Sequence, residues 1–159
     1  MGDGITERMG DRRAVAASFS ARARSVVLDA ALWVSQLALA VLFGLAGILE
    51  MSWPIPDLAE MLTWPGEIPP ALVRFIGVSE FAGGIGVLMP SLLRVRPFLA
   101  PLAACGLALV MGLALAYNTS LGRWQPINVV PGSVAAFVAW GRFRWRPISA
   151  RGLSTRGRA

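Results

Sequence analysis

The sequence predicts an all-α fold, an integral membrane four-helix bundle with both termini on the cytoplasmic side. Its 159 residues are 55% apolar and have a mean hydropathy of +0.60, which is more than a soluble domain of this length needs to fill its core. Four segments are free or nearly free of charge, and each approaches the ~20 residues that a helix needs to cross the hydrocarbon core. These segments are residues 30–49, 71–93, 97–118 and 124–141.

The first span follows a basic leader, but it does not have the pattern of a cleaved signal peptide. Its apolar run exceeds the ~7–15 residues of a signal core, and acidic Glu50 stands where small residues would be expected. Residues 38–43 are apolar on every side, whereas a membrane strand alternates apolar and polar residues. We therefore expect a helix that remains in the mature protein.

The loop between the first two spans is rich in proline and acidic residues. Between its prolines, residues 57–62 have the pattern of a short helix that lies on the membrane surface. Its apolar side chains, Leu58, Met61 and Leu62, are expected to face lipid.

The arginines predict the orientation, because cytoplasmic segments are enriched in basic residues. All fifteen basic residues are arginines. Those on the predicted cytoplasmic side are Arg8, Arg12, Arg13, Arg22, Arg24, Arg94, Arg96, Arg142, Arg144, Arg146, Arg151, Arg156 and Arg158. The predicted organisation is a basic tail at residues 1–28, a membrane domain at 29–142 and a second basic tail at 143–159. The arginine run at residues 142–146 is interpreted as an anchor on the membrane surface.

The composition excludes several functional classes. The chain has no histidine, which removes the commonest metal ligand and the usual axial ligand of haem. Its single cysteine, Cys105, cannot form an intrachain disulfide or a redox pair. The arginines flank apolar spans and accompany no nucleic-acid-binding motif. We therefore predict no metal site and no nucleic-acid partner; the lipid bilayer is the expected surrounding.

Glu80 is the strongest candidate for a functional residue. It lies about nine residues into the second span, or roughly 14 Å along the helix and close to the bilayer midplane. An ionisable group at that depth is costly unless it faces the bundle interior, is protonated or is paired. The functional interpretation is an interior polar site, and the alternative is a neutral side chain that only locks helix packing.

Four further residues are predicted to belong to this interior site. Glu50 ends the first span and Arg74 begins the second, each with the wrong sign for its own helix dipole. An ion pair between them is one hypothesis, and separate extension of both side chains to water is the other. Asn118 and Asn128, at the end of the third span and the start of the fourth, complete the predicted site.

Small residues in the first two spans predict close helix packing. Gly77, Glu80 and Gly84 share one face of the second span, and a similar face exists on the first. The predicted packing glycines are Gly44, Gly47, Gly77, Gly83, Gly84 and Gly86.

The second span also carries a family resemblance. Residues 74–90, RFIGVSEFAGGIGVLMP, resemble the R-x-I-G-x-x-E-x-x-G-x-I-G-L-x-L-P stretch of DoxX-like membrane proteins. Residues 46–51, AGILEM, resemble the A-G-x-x-K-L stretch that ends the first span of that family. The order of the four spans agrees, and the resemblance covers roughly residues 30 to 145. Two positions depart from the pattern: the usual lysine is Glu50, and many relatives have a histidine where this chain has Tyr117 and Asn118.

The resemblance implies a small four-helix protein of the bacterial cytoplasmic (inner) membrane. Some relatives are subunits of quinone-linked sulfur or thiol oxidoreductases, so it implies an accessory or quinone-proximal subunit of a membrane redox system. A quinone is the implied cofactor, although the residues themselves indicate none, and whether the chain is an enzyme stays open. The alternatives are an assembly subunit that docks a larger membrane complex and a small proton- or solute-linked transporter. Expected protein partners are other membrane subunits or further copies of the chain.

Overall fold

The computed structural model describes residues 3–124, 126–145 and 147–148, with side chains from residue 18 onward. Within these residues the fold is all-helical and contains five α-helices. The helices are α1 (Asp3–Ser52), α2 (Ile55–Leu62), α3 (Pro70–Leu93), α4 (Leu99–Ser120) and α5 (Val129–Trp140). Short 3-10 turns occupy Trp64–Gly66 and Pro126–Asn128, and a π-turn, Gly141–Trp145, follows α5.

Three helices are long and apolar enough to cross a membrane. They are the Ser18–Ser52 part of α1, and all of α3 and α4. These three helices contain most of the first three predicted spans. α1 runs without a break from Asp3, so the predicted tail at residues 3–28 continues the first span in one helix.

The fourth predicted span is divided among three kinds of helix. α5 has 12 residues and covers about 18 Å, which is less than the hydrocarbon core of a bilayer. The 3-10 turn before it and the π-turn after it extend the helical segment to residues 126–145. The fourth segment is therefore shorter as a regular α-helix than the sequence predicted.

α1 and α3 pack antiparallel along a seam of small residues. A Cβ atom on Gly47 would lie 2.5 Å from the carbonyl oxygen of Gly77, and one on Gly84 would lie 3.1 Å from the nitrogen of Gly44. Further along, the side chain of Gln36 reaches the carbonyl oxygen of Val87. The absence of side chains at the crossing points brings the two backbones close together.

The remaining contacts complete a ring of four helices. α3 packs on α4, α4 on α5, and α5 returns to α1. The core inside the ring is formed by buried side chains that include Leu39, Phe43, Val87, Leu107 and Val138. Polar side chains found inside this ring are therefore removed from lipid as well as from water.

The predicted surface helix in the first loop is present as α2, Ile55–Leu62. It begins after Pro54 and has Pro56 in its first turn, where a missing N–H costs nothing. Leu58 is buried at 1% exposure, whereas Met61 and Leu62 are exposed. The prediction that all three face lipid was wrong for Leu58, because this side chain holds α2 against the rest of the protein.

Candidate functional site

Glu50 and Glu80, hereafter the acidic pair, are brought together inside the bundle. Each residue is only 5% exposed. Glu80 lies on the same buried face of α3 as Gly77 and Gly84, and Gly77 packs against Glu50. Because Glu80 follows Gly77 by three residues on this face, the two side chains start within about one helical turn of each other along α3. In the described part of the chain, Oε2 of Glu50 is fully covered and has no hydrogen-bond partner.

Arg74 contacts Glu50, but not in the way that the charges predicted. Its Nη1 donates a 2.5 Å hydrogen bond to the main-chain carbonyl oxygen of Glu50. In a continuing helix this carbonyl would accept from residue 54, which is a proline without an N–H. The guanidinium therefore satisfies an acceptor at the C-terminal end of α1. Neither of the two hypotheses, an ion pair or separate extension to water, describes this contact, because the acceptor is the backbone carbonyl of Glu50 and not its carboxylate.

Asn118 lies at the same end of the bundle as Arg74. It is 3% exposed, and its Nδ2 donates to the carbonyl oxygen of Ala114 on its own helix. Its Oδ1 is a second covered acceptor without a partner among the described residues. Gly83 packs against Leu107, and this antiparallel register places Asn118 about eight residues, or roughly 12 Å, above the level of Glu80.

Asn128 is half-buried and ends the 3-10 turn before α5. A Cβ atom on Gly132, one turn further on, would lie 3.1 Å from the Cβ of Met111 in α4. The structure therefore places Asn128 at the same end of the bundle as Asn118 and gives it no bond to the acidic pair.

The predicted glycines differ in how closely other atoms approach them. A Cβ atom on Gly83 would lie 2.5 Å from the side chain of Leu107, and one on Gly86 would lie 2.9 Å from Ala103. These two glycines face α4, whereas Gly47, Gly77 and Gly84 face the seam between α1 and α3. A Cβ atom on Gly44 would meet no atom within 4 Å. The backbone nitrogen of Gly44 nevertheless lies at the seam, 3.1 Å from where a Cβ atom on Gly84 would be.

A second buried polar group lies toward the other end of the bundle and was not predicted. This arginine cluster consists of Asp29, Gln36, Ser91 and Arg142. Arg142 donates from Nε to Oε1 of Gln36 at 2.8 Å and from Nη1 to Oδ1 of Asp29 at 2.9 Å. Gln36 in turn donates to Oγ of Ser91 at 2.8 Å and to the carbonyl oxygen of Val87 at 2.6 Å. The cluster thus ties the C-terminal end of α5 to both α1 and α3.

Arg142 was interpreted from the sequence as part of a surface anchor, and that interpretation was wrong. Its residue exposure is 3%, and its guanidinium lies 5.0 Å from the ring centroid of Trp33. The π-turn at Gly141–Trp145 turns this side chain inward while Arg144 stays exposed. One signal was available: Asp29 and Gln36 are seven residues apart, so they share a face of the first span.

An exposed ion pair joins the loops at the end of the bundle nearest Asn118. Arg123 donates from Nη1 and Nη2 to the two carboxylate oxygens of Glu67, both at 2.6 Å. The hydrogen bonds from Arg123 hold the pKa of Glu67 below its ordinary value. With Tyr117 and Leu121, the pair lines a shallow cleft. This contact connects the loop before α3 to the loop before α5.

The chemistry available in the described residues is that of buried acids and a buried guanidinium. No group of three or more potential metal-ligating side chains occurs among them. An open apolar furrow follows the outward face of α1, from Val34 to Leu49. Because Gln36, Phe43 and Glu50 lie on the opposite face of that helix, the furrow does not lead to the acidic pair.

Comparison with known proteins identifies one family. The model of a family described as DoxX-like matches residues 34–141, which is more than half of the chain and includes both the acidic pair and Asn118. No curated protein and no solved structure gives a significant match. The matched region agrees with the span over which the sequence motifs resemble that family.

Proposed function

The chain belongs to the DoxX-like family, and on that premise we propose that it is a quinone-proximal accessory subunit of a membrane redox system. The observation that carries the proposal is the acidic pair, Glu50 and Glu80, buried between α1 and α3. Two carboxyl groups kept away from water cost several kcal/mol if both are ionised, so such a pair is retained for a function. Protonation lowers this cost, because a buried carboxyl group without a cation is more stable uncharged.

We further propose that the protein crosses the bacterial cytoplasmic membrane four times, with both termini inside. The helical segment at residues 126–145 has about the 20 residues that a span needs, although α5 itself is short. The arginines support the orientation, because the two tails and the loop between α3 and α4 hold twelve of the fifteen. Labelling of single cysteines at Ser20 and Thr63 with an impermeant maleimide tests this: only Thr63→Cys should react in intact cells.

Oxidation and reduction of a quinone exchange protons as well as electrons, which is the chemistry that this cofactor supplies when bound. The acidic pair would hold or release a proton next to that reaction. Oε2 of Glu50 and Oδ1 of Asn118, both covered and unpartnered in the described structure, suit a ligand with hydroxyl groups. Arg74 and Asn118 would mark the end of the bundle from which such a ligand approaches.

The proposal is tested in membrane vesicles from a host that expresses the chain with its natural partners. Glu50→Gln and Glu80→Gln keep the side-chain shape but cannot exchange a proton, and Glu60→Gln, on the exposed face of α2, is the matched control. Quinone-dependent thiol oxidation should fall at least tenfold in the first two variants and stay unchanged in the third. Copurification with the partner subunit should be equal in all three.

Two results would contradict the proposal. Full redox activity in both Glu50→Gln and Glu80→Gln would show that the acidic pair has no role in the reaction. Normal activity of both Gln variants, together with loss of the partner from membranes that lack this chain, would favour the assembly subunit. In that case the acidic pair only locks helix packing.

A further inference from the structure

We infer that the end of the bundle where α3 joins α4 binds the headgroup of an anionic phospholipid. The binding groups are three arginines, Arg94, Arg96 and Arg144, hereafter the basic rim. This inference goes beyond the proposed function and is independent of it, because it uses neither residue of the acidic pair.

Two segments that are distant in sequence bring the basic rim to one end of the bundle. Arg94 is the residue at which α3 ends, and Arg96 lies in the loop before α4. Arg144 belongs to the π-turn after α5, and this turn packs against α4. The arginine cluster fixes the ends of α3 and α5 at the same level of α1. The three guanidinium groups are therefore presented from adjoining elements.

The basic rim has no anionic partner within the part of the chain that the structure describes. All three side chains are exposed, and none of their guanidinium groups has a hydrogen bond or an ion pair there. Among the described side chains at this end, the one carboxylate is that of Asp29, which is bonded to the buried Arg142. Three like charges thus face outward without compensation, and an anion bound beside them lowers their mutual repulsion.

Two of these arginines have backbone conformations that favour glycine. The φ angle is +54° at Arg94 and +45° at Arg96. A Cβ atom crowds the backbone in this region, so glycine is the less costly residue at such positions. Neither side chain offsets this cost by a bond within the described residues, which indicates a contact outside the chain.

Exposed apolar side chains flank the arginines, and they identify the anion as part of a lipid. They are Leu93, Val95, Phe98, Phe143 and Trp145. At a membrane surface a guanidinium group can reach a phosphate while its apolar neighbours contact acyl chains. A soluble anion or an acidic protein surface would leave these apolar side chains in water. The pattern therefore favours a phospholipid over both.

The charge of the headgroup decides which phospholipid binds. Guanidinium groups donate paired hydrogen bonds to phosphate oxygens, which both phosphatidylglycerol and phosphatidylcholine possess. The choline group adds a cation that the basic rim repels, whereas the glycerol group adds none. An arginine close to an anionic surface favours binding by roughly fivefold, so three should give a preference of at least about tenfold.

The test compares the binding of these two lipids, with identical acyl chains, to the purified full chain in detergent. Native mass spectrometry measures the dissociation constant of each lipid. We expect phosphatidylglycerol to bind at least about tenfold more tightly. Inorganic phosphate, added at constant ionic strength, should not displace it, because phosphate makes no apolar contacts.

Three variants assign the preference to the basic rim. Replacement of all three arginines by glutamine should reduce it to about twofold or less, and replacement by lysine should retain most of it, because the charge is kept. Arg94→Gly removes one cation and relieves a positive φ. This variant should lose several-fold in preference while its unfolding temperature in phosphatidylcholine nanodiscs equals or exceeds that of the wild type, which separates a lipid contact from a structural role.

The matched control is the double variant Arg123→Gln, Glu67→Gln at the opposite end of the bundle. It removes an arginine that already has a carboxylate partner, so the preference should be unchanged. An equal loss in this control would overturn the inference. Equal affinity for the two lipids, displacement by inorganic phosphate, or an undiminished preference in both the triple glutamine variant and Arg94→Gly would also overturn it. No redox reaction enters the measurement, so failure here leaves the proposed function standing.

Discussion

Substitution of Gly77 by alanine tests how closely the backbones of α1 and α3 approach each other at their seam. The new Cβ would lie 2.8 Å from the Cβ of Glu50, 3.0 Å from the carbonyl oxygen of Gly47 and 3.1 Å from the nitrogen of Met51. Two of these neighbours are backbone atoms, so they cannot turn aside. Overpacking of this kind costs about 1–3 kcal/mol.

Gly44 provides the matched control on the same seam. An alanine there meets no atom within 4 Å, so it brings only the gain in helix propensity of roughly 1 kcal/mol over glycine. Because that gain is common to both variants, Gly77→Ala should be less stable than Gly44→Ala by about 1–3 kcal/mol. Reversible unfolding in mixed detergent micelles, followed by helical circular dichroism, measures the difference. Equal stability of the two variants would refute the close approach of the helices at Gly77.

Two further predictions concern the ion pairs. Arg142→Met removes the buried cation of the arginine cluster and should destabilise the fold by about 2–3 kcal/mol. This is less than the usual cost of breaking a fully buried ion pair, because the partner Asp29 is partly exposed. Arg144→Met, two residues away and exposed, should change stability by less than about 0.5 kcal/mol in the same unfolding assay; equal losses would argue against a buried role for Arg142. For the exposed pair, Arg123 lowers the pKa of Glu67 in the folded protein. The ionised Glu67 carboxylate therefore stabilises the fold above the ordinary pKa of 4.5, and this stabilisation is lost as the pH falls through the pKa of the folded protein. The stability advantage of the wild type over Glu67→Gln should therefore be larger at pH 7 than at about pH 3, and an advantage that grows on acidification would contradict the hydrogen-bonded geometry with Arg123.

The apolar spans could be predicted from the sequence because their signal is length and lack of charge. α3 and α4 begin and end within two residues of the predicted spans. The fourth span was predicted from residue 124, but α5 begins only at Val129. Pro126 lacks an N–H and starts a 3-10 turn, which hydropathy alone does not reveal.

The candidate site was predictable in part, and the limit was side-chain direction. Charge and depth identified Glu80, and the structure places it beside Glu50. The partner of Arg74 depended on a local detail, the proline four residues after Glu50, which leaves a carbonyl without its helical donor. Arg142 was not found, because a run of arginines at a span end resembles a surface anchor and only the π-turn reveals which one points inward.

Reaction with dicyclohexylcarbodiimide tests most directly whether the acidic pair holds a proton inside the membrane. This apolar reagent modifies protonated carboxyl groups in apolar surroundings and spares ionised ones in water. In intact membranes at neutral pH, mass spectrometry should find the adduct on Glu50 or Glu80 and none on Glu60 or Glu67, with labelling abolished in a Glu50→Gln, Glu80→Gln double variant. Absence of the adduct from both residues of the pair, or equal labelling of Glu60, would contradict the account.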